Sequence, residues 1–132
     1  MAAGKGVRMR SSMPKVLHRV AGAPMISHAS AAAGAIGLAD SIVVVSPDNH
    51  APIAEALGEH FAYVEQPEPL GTGHALSVAI ERTPLEAQCV LLLNGDMPLI
   101  TSKDLAALCE AHSSREAAIT VGVATLAAEE AL

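Results

Sequence analysis

Hydrophobic runs recur along the chain and alternate with polar and glycine-containing loops. Three of them, 41–46 (SIVVVS), 89–96 (CVLLLNGD) and 117–126 (AAITVGVATL), are strong, and a weaker run lies at 61–66 (FAYVEQ). The strong runs are apolar without alternation, which is typical of parallel strands that are covered on both faces. We therefore predict four strands.

Between these runs, apolar residues recur at the spacing of a helix face. The pattern predicts helices over 24–37, 49–58, 72–82 and 101–112. The last of these starts at Thr101 and carries Asp104 three residues later, which is the arrangement of a capping box.

The alternation of helices and strands predicts an α/β fold, a doubly wound and mostly parallel Rossmann-like sheet that binds ligands at the carboxyl ends of its strands. The same pattern requires a strand before Ala2, and the final residues, LAAEEAL, supply no closing element. We therefore expect these residues to be part of a larger domain, truncated at both ends, with an apolar strand encoded upstream of Met1.

Composition narrows the class of function. The net charge of −6 argues against a nucleic-acid partner and against an anionic membrane surface. No apolar run approaches the ~18 residues of a membrane span, and the amino end lacks the apolar segment of a signal peptide. Cys89 and Cys109 have no metal-binding spacing, and we interpret them as buried, reduced thiols of a cytoplasmic protein.

The basic residues are concentrated at the amino end, where five of the eight fall within the first nineteen positions. This cluster in an acidic chain points to a small anionic ligand. Gly4 and Gly6 allow backbone N–H groups to approach an anion, while Arg8 and Lys15 supply mobile charge. The spacing fits neither a dinucleotide fingerprint nor a Walker A loop, so a phosphate loop and an ordinary basic turn both remain possible.

The segment 65–76 (EQPEPLGTGHAL) leads from an extended stretch into a predicted helix. Free N–H groups at this helix start suit a phosphate or a base carbonyl, and the Gln66 amide suits the edge of a pyrimidine. The alternative is a helix cap by Thr72, with Gln66 on the surface and His74 as a packing or hydrogen-bonding residue.

The segment 91–100 (LLLNGDMPLI) places Asp96 just beyond the end of a predicted strand. A carboxylate there, facing a phosphate loop, is suited to Mg²⁺, provided that a second ligand or the substrate phosphates complete the coordination. The alternative is a turn aspartate that bonds its own backbone.

Together, the stretches AAGKGVRMRSSMPKVLH, EQPEPLGTGHA and LLLNGDMPLI resemble the sugar-nucleotide pyrophosphorylases. Among these they are similar to the uridylyltransferase domains of bacterial bifunctional enzymes that make UDP-N-acetylglucosamine for cell wall peptidoglycan. The resemblance covers nearly the whole chain, and it implies the nucleotide-diphospho-sugar transferase type of Rossmann-like sheet.

The resemblance also implies roles for individual residues. It implies that the backbone of four residues surrounds the nucleotide: Met1, Ala2, Ala3 and Gly4. Arg8 and Lys15 neutralise the triphosphate, Asp96 binds Mg²⁺, and these three are the implied catalytic residues. The implied uracil-recognition residues are Gln66, Gly71 and Thr72, and the implied neighbours of the metal ligand are Asn94 and Gly95.

The implied reaction is attack by N-acetylglucosamine 1-phosphate on the α-phosphorus of UTP, giving UDP-N-acetylglucosamine and pyrophosphate. Met1 and Asn94 replace the leucine and tyrosine that such proteins usually carry, and the chain stops before their sugar-binding segments, second metal ligand and acetyltransferase domain. Full-length relatives are expected to form homo-oligomers through that domain. We expect the isolated chain to lack turnover; the alternatives are a non-catalytic nucleotide-binding fragment and a cytidylyltransferase of the same fold.

Overall fold

The computed structural model describes residues 1–4, 6, 9–38, 40–83 and 87–123. It contains helices close to all four predicted positions: α1 (Met25–Gly34), α2 (His50–Leu57), α3 (Thr72–Arg82) and α4 (Ser102–Ser114). The predicted capping box at the start of α4 is present, with Thr101 and Asp104 exchanging side-chain and backbone hydrogen bonds.

Two of the predicted strands form the parallel pair of the fold. In chain order the strands are β1 (Arg19–Val20), β2 (Ala23–Pro24), β3 (Ile42–Val45) and β4 (Ala62–Glu65). β3 and β4 are parallel and in register from Ile42 opposite Ala62 to Val45 opposite Glu65. The predicted α/β class is therefore confirmed.

The apolar residues of β3 serve two separate cores, one on each face of the sheet. Val43 and Val45 belong to a buried cluster with Ile26 of α1 and Ile53 of α2. Val44 belongs to a second cluster that includes Ala75 and Ala79 of α3. Because both faces are covered by helices, every position of the strand is apolar, as the continuous run predicted.

The first residues of the chain extend this parallel sheet beyond β3. The Ala2 N–H donates to the Val44 carbonyl at 2.7 Å. On the opposite side, the Met1 amine donates to the Leu93 carbonyl at 2.7 Å, and the Gly95 N–H donates to the Met1 carbonyl at 2.9 Å. Segment 1–3 therefore lies between β3 and residues 93–95.

The other two predicted strands are not regular strands in the structure. The segment 89–96 makes ladder hydrogen bonds only at 93 and 95, and residues 117–123 form no strand within the described part, while 124–126 lie outside it. A strand needs a neighbour along its whole length, and among the described residues only Met1 pairs with the 89–96 segment. Cys89 is exposed rather than buried, and Cys109 is half-buried.

An apolar cleft of about 270 Å³ lies beside Met1, between β3 and residues 89–93. Its walls include Val43 and Val44 on one side and Leu91 and Leu93 on the other.

Among the described residues, no helix has both the length and the apolar character needed to cross a membrane.

Candidate functional site

The loop that carries Gly4 and Gly6, here called the glycine loop, begins where segment 1–3 leaves the sheet. Ala2 and Ala3 are buried, whereas Gly4 is exposed. Gly6 has a φ of +56°, and a Cβ atom placed on it would lie 2.7 Å from the Lys15 Cβ. A glycine at this position therefore lets the loop pass directly over the lysine. Arg8, the second predicted phosphate-binding cation, lies outside the described residues.

We expect Gly6→Ala to destabilise the fold by about 1–2 kcal/mol through its left-handed backbone alone, with a further cost from the contact with Lys15. The measurement is the urea midpoint of unfolding. Gly34→Ala is the matched control, because a Cβ atom there meets nothing within 4 Å and the helical alanine should stabilise by up to ~1 kcal/mol. Equal effects of the two substitutions would contradict the close packing at Gly6.

Lys15 and Asp96 meet although they are 81 positions apart in the sequence. Lys15 opens a single 3₁₀ turn, Lys15–Leu17, which follows Pro14. Its Nζ lies 2.6 Å from Asp96 Oδ2, and the two side chains are 39% and 34% exposed. The lysine is therefore neither free in solvent nor far from the carboxylate. The two residues place a cation and an anion side by side at the carboxyl ends of the strands.

Asn94 and Gly95 lead to Asp96 and differ in what they contact. A Cβ atom on Gly95 would lie 3.2 Å from the Met1 carbonyl oxygen and 3.3 Å from the Ile26 Cγ1. Gly95 thus allows close packing beneath the glycine loop, and it lines the apolar cleft. Asn94 faces the other way, into the pocket described below.

Gln66 is buried and its amide is oriented by its neighbours. Its Nε2 donates to the Gly71 carbonyl at 3.1 Å and lies 2.9 Å from His74 Nδ1. A carbonyl can only accept, so the amide nitrogen must face Gly71, and His74 Nδ1 is then an acceptor. No hydrogen bond within the described part ends on Gln66 Oε1. This oxygen is available to a ligand, and His74 is a hydrogen-bonding residue that fixes the amide.

The start of α3 has no side-chain cap. Gly71, and not Thr72, is the N-cap residue, and no side chain accepts from the first turn. The helix therefore presents backbone donors beside Gln66, where an anion or a carbonyl can accept.

These elements surround one pocket with a volume of about 740 Å³, within the usual range of ligand sites, roughly 300–1,000 Å³. Ten of the predicted site residues line it: Met1, Ala2, Ala3, Gly4, Lys15, Gln66, Gly71, Thr72, Asn94 and Asp96. Gly95 does not, and the functional roles of all these residues stay predictions. Sequence reasoning missed the lining residues Met9, Val16, Pro69 and Ala75, which carry no polar chemistry that could have marked them.

The residues present fit Mg²⁺ under one condition. The described part contains no group of three or more histidine, cysteine or acidic side chains that could hold a metal. Asp96 is a single carboxylate, but Mg²⁺ is commonly held by one or two carboxylates together with substrate phosphates and water. The pocket therefore suits a metal that arrives with a phosphate-bearing ligand.

Burial lowers the pKa of the Met1 amine, and the Asp96 carboxylate acts in the opposite direction.

The fold and the pocket agree with the family of the chain. Residues 1–129 match the MobA-like NTP transferase domain, and the chain belongs to this family of nucleotidyltransferases. The resemblance found in the three loops is thereby confirmed at the level of the family.

The chain is also similar to particular proteins, all named bifunctional protein GlmU. It is 45% identical over 126 residues to the one from Heliobacterium modesticaldum, which covers 96% of this chain and 27% of that protein. It is 44% identical over 121 residues to the one from Syntrophomonas wolfei, and 40% identical over 121 residues to one from Lactococcus lactis. The chain spans about a quarter of the length of these curated relatives.

Proposed function

We propose that the pocket binds UTP with Mg²⁺ and serves uridylyl transfer to N-acetylglucosamine 1-phosphate, giving UDP-N-acetylglucosamine and pyrophosphate. The observation that carries the proposal is the convergence of three separate loops on one pocket, with Lys15 Nζ 2.6 Å from Asp96 Oδ2. The similarity to proteins named bifunctional protein GlmU supports the choice of nucleotide and sugar.

The phosphate end of the ligand lies at Lys15 and the glycine loop. The lysine ammonium donates charge-assisted hydrogen bonds to phosphate oxygens, and the Gly4 backbone beside it is exposed. The sugar phosphate oxygen attacks the α-phosphorus, and the bond from this phosphorus to the bridging oxygen of pyrophosphate breaks. The protein contributes by positioning the groups and by neutralising charge, without a covalent intermediate.

The base lies at Gln66 and the start of α3. With its Nε2 committed to Gly71, Gln66 offers Oε1, which accepts from the N3–H of uracil. Cytosine has an unprotonated N3 at the same place, and two acceptors facing each other repel. The uncapped N–H groups of α3 are donors for a base carbonyl.

Asp96 is the residue that would hold Mg²⁺, together with phosphate oxygens of the substrate. When bound, the metal stabilises charge that develops on the phosphoryl oxygens. Lys15, whose Nζ lies 2.6 Å from Asp96 Oδ2, would share this task, so that the triphosphate meets two positive groups. Asn94 lines the same wall of the pocket.

The preference for uracil is tested by titrating the chain with UTP and CTP in the presence of Mg²⁺, with GTP as a control ligand. We expect UTP to bind about 5- to 150-fold more tightly than CTP, because an unsatisfied polar pair costs roughly 1–3 kcal/mol and each 1.4 kcal/mol is a factor of ten. Equal binding, or tighter binding of CTP, would contradict the uracil assignment and favour a cytidylyltransferase.

Transfer itself is measured in a chimera that carries this chain in place of the matching segment of the Heliobacterium modesticaldum relative. We expect pyrophosphate release that requires both UTP and N-acetylglucosamine 1-phosphate. A chimera that binds UTP without releasing pyrophosphate would favour the non-catalytic nucleotide-binding alternative.

A further inference from the structure

The hydrogen bonds on the two sides of segment 1–3 are not equivalent. Towards residues 93–95 the pattern is that of a regular parallel ladder, because Met1 donates to Leu93 and accepts from Gly95. Towards β3, the Ala2 N–H donates to the Val44 carbonyl. A regular parallel ladder would add a second bond, from the Ser46 N–H to the Ala2 carbonyl.

A side chain takes the place of that second bond. The Ser46 N–H donates to Asn49 Oδ1 at 2.7 Å, and Asn49 Nδ2 donates to the Ala2 carbonyl at 2.9 Å. Both contacts are buried, and Asn49 as a whole is only 6% exposed. The Asn49 amide therefore bridges the two strands at the point where β3 ends and the glycine loop begins.

The chemistry of the bridge requires an amide. The Ser46 N–H needs an acceptor and the Ala2 carbonyl needs a donor, and a carboxylate supplies only the first. The side chain has no competing task in the helix that follows, since Asn49 is the N-cap residue of α2 but makes no side-chain cap. The whole amide is thus committed to the contact between β3 and the loop.

We propose that Asn49 is a positioning residue for the nucleotide. Its amide connects the Ser46 N–H to the Ala2 carbonyl and so holds the two strands one amide apart at this point. It thereby fixes the backbone that continues into Ala3 and Gly4, which line the pocket. Asn49 itself does not line the pocket, so it acts through the loop. The inference rests on the proposed nucleotide site.

The test is Asn49→Asp, which keeps the size and the acceptor but removes the donor to Ala2. We expect UTP affinity to fall about tenfold, because a carbonyl left facing a carboxylate is displaced. Without nucleotide, amide exchange at Ala2, measured by NMR, should accelerate about tenfold, while amides of the β3–β4 ladder keep their rates. Asn49→Ser, whose hydroxyl cannot reach both groups, should shift both readouts in the same direction if the first variant does not fold.

Leu57→Ala is the control, because Leu57 lies at the opposite end of α2 from Asn49, packs on the core and does not line the pocket. It should lower the unfolding temperature and leave UTP affinity unchanged. An unchanged Ala2 exchange rate in the Asn49 variants, or faster exchange with unchanged UTP affinity, overturns the inference. If the wild-type chain fails to bind UTP, the proposed function fails instead, and the exchange rates still decide whether Asn49 orders the loop.

Discussion

Lys15→Ala should weaken UTP binding by about 10- to 100-fold, since a hydrogen bond to a charged group contributes roughly 1.5–3 kcal/mol and each 1.4 kcal/mol is a factor of ten. The fold should hardly respond. The side chains of Lys15 and Asp96 are 39% and 34% exposed. Ion pairs with this much exposure contribute about 0–1 kcal/mol to stability. Calorimetric titration and thermal unfolding of the same variant separate the two effects.

Lys103→Ala supplies the matched control for Lys15→Ala. Lys103 is an exposed lysine in the first turn of α4 and does not line the pocket. Its removal changes the net charge by the same amount, so any general electrostatic loss of UTP affinity appears in both variants. Equal losses would remove Lys15 from the phosphate site.

Asp96→Asn should abolish the gain in UTP affinity that Mg²⁺ provides, and in the chimera it should reduce turnover at least about 100-fold. In the absence of Mg²⁺ we expect UTP binding to be unchanged or tighter, because the substitution removes a negative charge and frees the Lys15 ammonium for the phosphates. The measurement is a pair of UTP titrations, with and without Mg²⁺.

The two conditions separate a metal ligand from a residue that only orients Lys15. If Asp96 served solely to hold the lysine, Asp96→Asn would weaken UTP binding equally with and without Mg²⁺. Asp48→Asn is the control, since Asp48 is exposed and lies outside the pocket. A retained Mg²⁺ effect in Asp96→Asn would exclude Asp96 as the metal ligand.

The helices and the β3–β4 pair could be predicted because their signals are local. The apolar spacing of 72–82, for example, follows one face of α3, and the continuous apolar run of β3 reflects two covered faces. The 89–96 run carries the same signal without forming a regular strand. Its hydrogen bonds depend on an adjacent strand, and the hydrophobic pattern of one segment does not show which strand lies beside it.

β1 and β2 pair antiparallel as a short hairpin, which was not predicted because its turn lacks the usual signal. Ala21 and Gly22 have φ values of 49° and 85°, yet alanine is an uncommon residue in this left-handed conformation. The Arg19 guanidinium donates to the Gly22 carbonyl at 2.8 Å, and the His28 Nε2 lies 2.8 Å from the Val20 carbonyl oxygen, so side-chain contacts hold a turn that the local residue preference does not predict.

The polar residues of the site could be proposed from loop chemistry, whereas their partners could not. The sequence marked Gln66 as a base-reading amide, but only the structure shows that Gly71 and His74 orient it. Asn49 carried no signal, because its role depends on a carbonyl 47 positions away.

The apolar cleft beside Met1 has a consequence for how this chain behaves at high concentration. Within the described part, Ile42 and Val43 have a ladder partner only in β4, residues 89–92 make no backbone hydrogen bonds, and Val90 is 48% exposed. Strand edges of this kind favour pairing between copies of a chain. Nucleotide titrations should therefore be run at protein dilutions where light scattering gives the mass of one chain.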